Sequence, residues 1–137
     1  MIWEFAVPGT PISLNSKSKA KPRWTEKVRQ SGIIGLDSTL FPVLGDVAVT
    51  VVFFHDSSSL DVDNMLKPVL DGIYPEILVD DGQVQEVLGA RRDISNGIII
   101  RNPPPLIIPL LASQEPFVYV GVGAALDQED LPWLTKI

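Results

Sequence analysis

The residues of this chain that could do chemistry are gathered between positions 60 and 81. The run Leu60-Asp61-Val62-Asp63-Asn64-Met65-Leu66-Lys67 places two carboxylates at i and i+2, an amide beside them and an ammonium four residues on. Val79-Asp80-Asp81 adds an acidic pair. Hard divalent cations such as Mg²⁺ take oxygen ligands, often one or two carboxylates completed by water and substrate phosphate oxygens. A lysine within reach supplies a compact positive charge for phosphate. The set therefore points to a divalent cation and an anionic substrate. Plainer readings exist. A lone Asp-x-Asp also occurs in capping turns, phosphatases and enzymes of sugar nucleotides, and Asp63 is a good helix N-cap. Lys67 could form an i,i+4 pair with Asp63 or Asp71, worth a few tenths of a kcal/mol. The metal reading is favoured because the downstream Asp-Asp accompanies the first block.

These groups must be positioned by elements. Ile2 to Val7 alternates around Trp3, Phe5 and Val7 and reads as a strand ended by Pro8-Gly9. Residues 10–23 read as a basic loop. Thr25 starts a helix to about Leu36, weakened by Gly32 and Gly35. Val47 to Phe54 is β-branched, aromatic and uncharged, the pattern of a central strand buried on both faces. A helix from Asn64 to Tyr74 follows, with Pro68 near its first turn and Pro75 stopping it. Val84 to Ile94 reads as a long strand, Asn96-Gly97 as a hairpin turn and Ile98 to Arg101 as its returning partner. Residues 102–115, with Pro103-Pro104-Pro105 and Pro109, read as a stiff surface insertion. Phe117 to Val122 is the last strand, and 126–137 an acidic tail with Trp133 as an anchor. The fold class is α/β (α+β), one compact domain over 1–137 with a small mixed sheet and two helices packed on it.

Can the two acidic blocks meet? A helix of about eleven residues is roughly 16 Å long. The five steps from Pro75 to Asp80, fully extended, cover roughly 17 Å. The return is just long enough to bring Asp80 or Asp81 back beside Asp61 and Asp63.

Composition narrows the class. The chain has 137 residues, 45% hydrophobic and 20% charged, so it has enough apolar material for a core. It contains no cysteine, which removes thiolate metal sites and disulfides. The opening Met1-Ile2-Trp3-Glu4 lacks the basic start and apolar block of a secretory leader, and the apolar tract 106–112 is too short to span a membrane. A cytoplasmic protein with no membrane partner is expected. Net charge is −6. It is unevenly spread: residues 1–36 hold six basic and two acidic residues, +4, and the remainder five and fifteen, −10. Lys17, Lys19, Lys21, Arg23, Lys27 and Arg29 thus form a basic arm on an acidic body, either a phosphate-backbone contact or a solvated surface. His55, the only histidine, reads as a strand-end residue, and Trp24 as an anchor for the helix after it. Glu76, Asp93 and the tail acids read as surface charges. Gly-rich phosphate loops, Ser-His-Asp sets and zinc spacings are missing from the sequence.

The run Leu60 to Gly72 followed by Leu78-Val79-Asp80-Asp81 resembles the RusA family of Holliday-junction resolvases, with its Asp-x-Asp-Asn-x-x-Lys stretch and later Asp-Asp. Phe5-Ala6-Val7-Pro8-Gly9 and Pro11-Ile12-Ser13-Leu14-Asn15 resemble that family's first strand and following loop. The likeness spans about residues 1–122. The resemblance implies a compact homodimer that cuts four-way DNA junctions by paired symmetric nicks, with Mg²⁺, or Mn²⁺ in its place. It implies Asp61, Asp63 and Asp81 as catalytic metal-binding carboxylates, Asp80 as the alternative ligand of its pair, and Lys67 as the essential lysine. Asn64 would orient the carboxylates, and the basic arm would hold the DNA backbone. The acidic overall charge, the insertion and the tail depart from the family pattern.

Overall fold

The computed structural model describes residues 2–12 and 20–132. In order along the chain lie β1 (Trp3–Pro8), α1 (Ala20–Ile33), β2 (Val47–His55), α2 (Val62–Gly72), β3 (Val84–Asp93), α3 (Ile108–Ser113) and β4 (Phe117–Ala124), with 3₁₀ turns at Asp81–Gln83 and Pro105–Ile107. The strands form one mixed sheet in the order β1-β4-β2-β3. β4 is antiparallel to β1 and β2, whereas β2 and β3 are parallel. The expected small mixed sheet in one α/β domain is what the chain forms.

The central position of β2 follows from its composition. Val47, Val49, Val51 and Phe53 are buried on the face that carries α1 and α2, where they meet Phe5, Val7, Trp24, Val28, Met65, Val69, Val118 and Val120. Each such side chain, fully buried, contributes roughly 1.5–3 kcal/mol. Burial on the second face is partial along β2, but Phe54 is buried there and stacks on Phe117 at 4.6 Å between ring centroids.

Several expected boundaries differ. α1 begins at Ala20, not Thr25, because Pro22 sits in the first turn, where no amide donor is required. Lys21, Arg23 and Lys27 therefore ride on a helix, and Trp24, buried as expected of an anchor, shares its inner face with Val28 and Gly32. α2 begins at Val62 with Asp61, not Asp63, at the N-cap position. Residues 98–101 form no returning strand: β3 is paired to β2, and Ile100 packs instead beside Phe54 and Ile107. The Pro-rich 102–115 segment is not merely a surface insertion. Pro104, Pro105 and Pro109 stand at or just inside helix starts, and Ile107 is buried against Phe54, Phe117 and Tyr119. This segment is a lid on the second sheet face, so a third helix joins the two expected. Trp133 lies outside the described residues. Among the described residues no helix is long and apolar enough to cross a membrane.

Candidate functional site

The acidic blocks are placed by α2 and by the turn that follows it. Met65, Pro68, Val69 and Gly72 are the buried residues of α2, an i, i+3, i+4, i+7 stripe that fixes how the helix lies on the sheet. Gly89 of β3 lets it lie close: a Cβ there would stand 2.7 Å from Val62 Cγ1.

That packing decides where each carboxylate goes. Asp61 and Asp63 are exposed at the N-terminal end of α2. The Asp61 side chain makes no capping hydrogen bond, so its carboxylate is not spent on the helix end. The start of the helix, at Val62, lies over Gly89. Asp80 and Asp81 are exposed at the other end of β3, just before Val84. Five steps along the strand separate Gly89 from Val84, roughly 17 Å at ~3.3 Å per residue. Among the described residues no three His, Cys, Asp or Glu side chains are gathered closely enough to hold a metal ion. The expected meeting of Asp61, Asp63 and Asp81 is therefore not found in this arrangement. The reason lies in residues 73–78. An extended return was required, but the chain turns compactly: the Ile77 and Leu78 amides both donate to the Ile73 carbonyl, and all three side chains are buried. The return from α2 to the Asp80-Asp81 turn is therefore compact rather than extended.

What the turn does bring together is a second group. Lys67 Nζ donates to Asp71 Oδ1 at 2.7 Å on the exposed side of α2. The Lys67 pKa is raised by that hydrogen bond, by the Asp71 charge and, in addition, by the charge of Asp81. Tyr74 is half-buried, and its phenol is raised by burial first and then by Asp81, Asp71 and Asp80. Lys67, Asp71, Tyr74, Asp80 and Asp81 thus share one electrostatic neighbourhood. Of these, Tyr74 was not singled out from sequence; only the fold reveals it.

Gln83 holds this neighbourhood in place. It is buried, and its Oε1 accepts from the amides of Val79 (2.8 Å) and Asp80 (3.0 Å). Its Nε2 donates to the carbonyls of Val43 (2.7 Å) and Gly45 (2.8 Å). Asp80 and Gln83 form a reciprocal capping box around the 3₁₀ turn. The Asp-x-x-Gln spacing of Asp80 and Gln83 is the sequence signal that could have found it.

The basic residues separate into different roles. Arg23 and Lys27 are exposed on the outer side of α1, and Lys27 Nζ lies 5.9 Å from the centre of the Trp24 ring. Lys21 is half-buried. Arg29 is turned inward: its Nη2 donates to the carbonyls of Asp71 (3.1 Å) and Tyr74 (3.2 Å), and it pairs with Glu26 at 2.7 Å and Glu76 at 3.5 Å. Arg29 thereby ties α1 to the end of α2, and Glu76 is part of that tie. Lys17 and Lys19 lie outside the described residues. Asn64 is half-buried in the first turn of α2.

His55 ends β2, as expected, and is buried. The Ser58 amide donates to its Nδ1 at 3.0 Å, and the Arg91 guanidinium lies 3.3 Å from Nε2 while also donating to the Ser58 carbonyl. These contacts close the loop between β2 and α2 and so set where Asp61 and Asp63 emerge. No protein-family model matches this chain, and no curated protein matches it significantly.

Proposed function

We propose that this protein is a structure-selective endodeoxyribonuclease acting on four-way DNA junctions, as a homodimer in the cytoplasm that makes paired, symmetric nicks. The observation that supports this reading is the electrostatic neighbourhood of Lys67. An ammonium from the first acidic block and the Asp81 carboxylate from the second, fourteen positions later in the sequence, share one exposed side of α2 with Asp71.

The chemistry follows from charge. Lys67 is an ammonium through the neutral range, and Asp71 and Asp81 favour that form further. It can bind a phosphodiester oxygen and stabilise the negative charge that develops there. Asp71 is the partner that a phosphate must share or displace. Arg23 and Lys27, with Lys21, Lys17 and Lys19, would hold the DNA backbone without reading sequence, and their contribution falls with salt. Mg²⁺ or Mn²⁺ remains the expected cofactor on the donor chemistry of Asp61, Asp63 and Asp81. Because these three are not gathered here, no catalytic step is assigned to the ion.

A second reading is a catalytically weak or inactive DNA- or protein-binding relative of the same fold. One experiment divides the two: a labelled four-way junction is incubated with the protein and Mg²⁺ or Mn²⁺, beside the Asp63→Asn and Asp81→Asn variants. Nicking by the native protein that both variants lose supports the nuclease. Junction binding without nicking in either metal supports the second reading. The absence of both binding and nicking defeats the nuclease and any DNA-binding role.

A further inference from the structure

β3 is the edge of the sheet, and among the described residues no strand pairs with its outer side, although the Leu126 amide donates to Glu86 Oε2 at 3.3 Å near its start. It carries Val87 and Leu88 exposed at 39% and 58%. Long exposed edges with apolar side chains are templates for pairing with another strand. The Ile94 amide donates to the His55 carbonyl of β2, and the β2–β3 register runs unbroken from Glu86 to Asp93. In a parallel pair both backbone groups of alternate residues face the neighbour. Even-numbered residues of β3 from Glu86 onward therefore bond to β2, and Val87, Gly89, Arg91 and Asp93 aim their N–H and C=O groups outward. Among the described residues no other backbone segment bonds to these groups. The Arg91 carbonyl accepts from the Arg92 guanidinium at 2.7 Å, a side chain standing where a strand would be.

We infer that this edge pairs antiparallel with β3 of a second copy of the chain, about a two-fold axis through Gly89. Three observations select this occupant and register. First, Glu86 lies before and Arg91-Arg92 after the apolar Val87-Leu88-Gly89-Ala90, while Asp93, which closes the strand, is held by Ser95. An antiparallel copy sets each end against its opposite; a parallel copy sets like against like. Second, outward groups must meet outward groups, so opposed residue numbers must sum to an even value. Third, within that set the register with Gly89 opposite Gly89 of the partner subunit alone puts Glu86 directly opposite an Arg92. By symmetry the pair occurs twice, at non-hydrogen-bonded positions where side chains approach closest. Leu88 then covers Ala90 of the partner subunit between the two pairs.

Gly89 meets Val62 and Leu66 of α2, so even-numbered β3 residues point to the opposite, α3-bearing face. With the axis perpendicular to the sheet, the two four-stranded sheets become one of eight strands. Both α2 helices then lie on the same face of it, and both Lys67 neighbourhoods open on one side. The pairing supplies the surface for the homodimer of the nuclease reading, but it does not require cleavage to occur.

Sedimentation equilibrium across a concentration series tests it, with circular dichroism as the control for folding. The native chain should be dimeric. Glu86→Arg and Arg92→Glu should each weaken self-association by about tenfold or more, and the double exchange should restore it. Val87→Pro should give a folded monomer, because it deletes an outward donor and leaves the bonds to β2 intact. A monomeric native chain, single reversals that dimerise like the native chain, a folded double exchange that stays monomeric, or a dimeric Val87→Pro would each overturn the proposal. A dimer that never nicks a junction leaves this interface standing and removes only the nuclease reading. Nicking by a monomeric native chain does the reverse.

Discussion

Lys67 Nζ sits 2.7 Å from Asp71 Oδ1, one turn along the same helix, and the Asp81 charge acts on the same ammonium from the turn after α2. The pair is exposed, so its worth to folding is small and its worth to function lies in the charge it holds ready. Lys67→Ala should change stability by less than about 0.5 kcal/mol in urea denaturation. The same variant should slow junction nicking by about a hundredfold. Asp71→Asn should bring the Lys67 pKa down toward its ordinary value, read by NMR titration of the Lys67 Cε signal. An unmoved titration would show that the pair does not control this ammonium.

Arg29 is expected to act on the fold. Arg29→Met leaves the carbonyls of Asp71 and Tyr74 without their donor and should cost about 1.5–3 kcal/mol. Arg29→Lys should recover only part of this, because a single ammonium cannot reproduce the planar fork. Urea midpoints of the three proteins decide the point. A stability loss of under 0.5 kcal/mol in Arg29→Met would return Arg29 to the DNA-contact group.

Gln83 should matter more than a residue beside a surface turn usually does. Gln83→Ala leaves two amides and two carbonyls without their side-chain partner. The expected loss is about 2–3 kcal/mol, and loss of order in the Asp80-Asp81 turn should appear as faster amide hydrogen exchange at Val79 and Asp80. Unchanged exchange at both amides would refute the pinning role.

At Gly72 the usual helix rule reverses sign. Glycine to alanine in a helix ordinarily gains about 1 kcal/mol. Here a Cβ would stand 2.6 Å from Val28 Cγ1 and 2.8 Å from Val28 Cβ, where α1 crosses α2. Gly72→Ala should therefore destabilise by about 1–3 kcal/mol. Val28→Ala in the same chain should give back part of that cost, a coupling measurable by a double-mutant cycle.

Both tyrosines should resist ionisation. Burial and the charges of Asp81, Asp71 and Asp80 raise Tyr74, and burial with the hydrogen bond from its hydroxyl to Glu4 raises Tyr119. Absorbance titration of the native protein should show neither phenol ionising at its ordinary value. A folded pKa above the unfolded one gives stability that is complete below the unfolded pKa and is lost as pH rises through the folded one. Stability in urea should hold through neutral pH and fall from about pH 10 upward. Lys67, also raised, adds to the same alkaline loss.

Local signals were legible where one residue pattern suffices. The uncharged run at Val47–Phe54 marks a central strand, and a helix after the first aspartates is legible from its residue types. Helix starts were less legible, since Pro22 reads as a breaker until it is seen in a first turn. The 98–101 and 102–115 segments misled because their apolar residues fit either a hairpin or a lid, and the choice depends on which sheet face is left uncovered.

By itself the sequence determined the chemistry on offer: acidic oxygens at Asp61, Asp63, Asp80 and Asp81, one ammonium at Lys67, and a helix between them. Only the tertiary structure decided which of these groups are neighbours. Burial of Ile73, Ile77 and Leu78 folds the return compactly, and the Asp81 charge acts on Lys67 together with that of Asp71. Residue types follow from the gene one at a time, but the distance between two carboxylates depends on how much chain the core takes up between them.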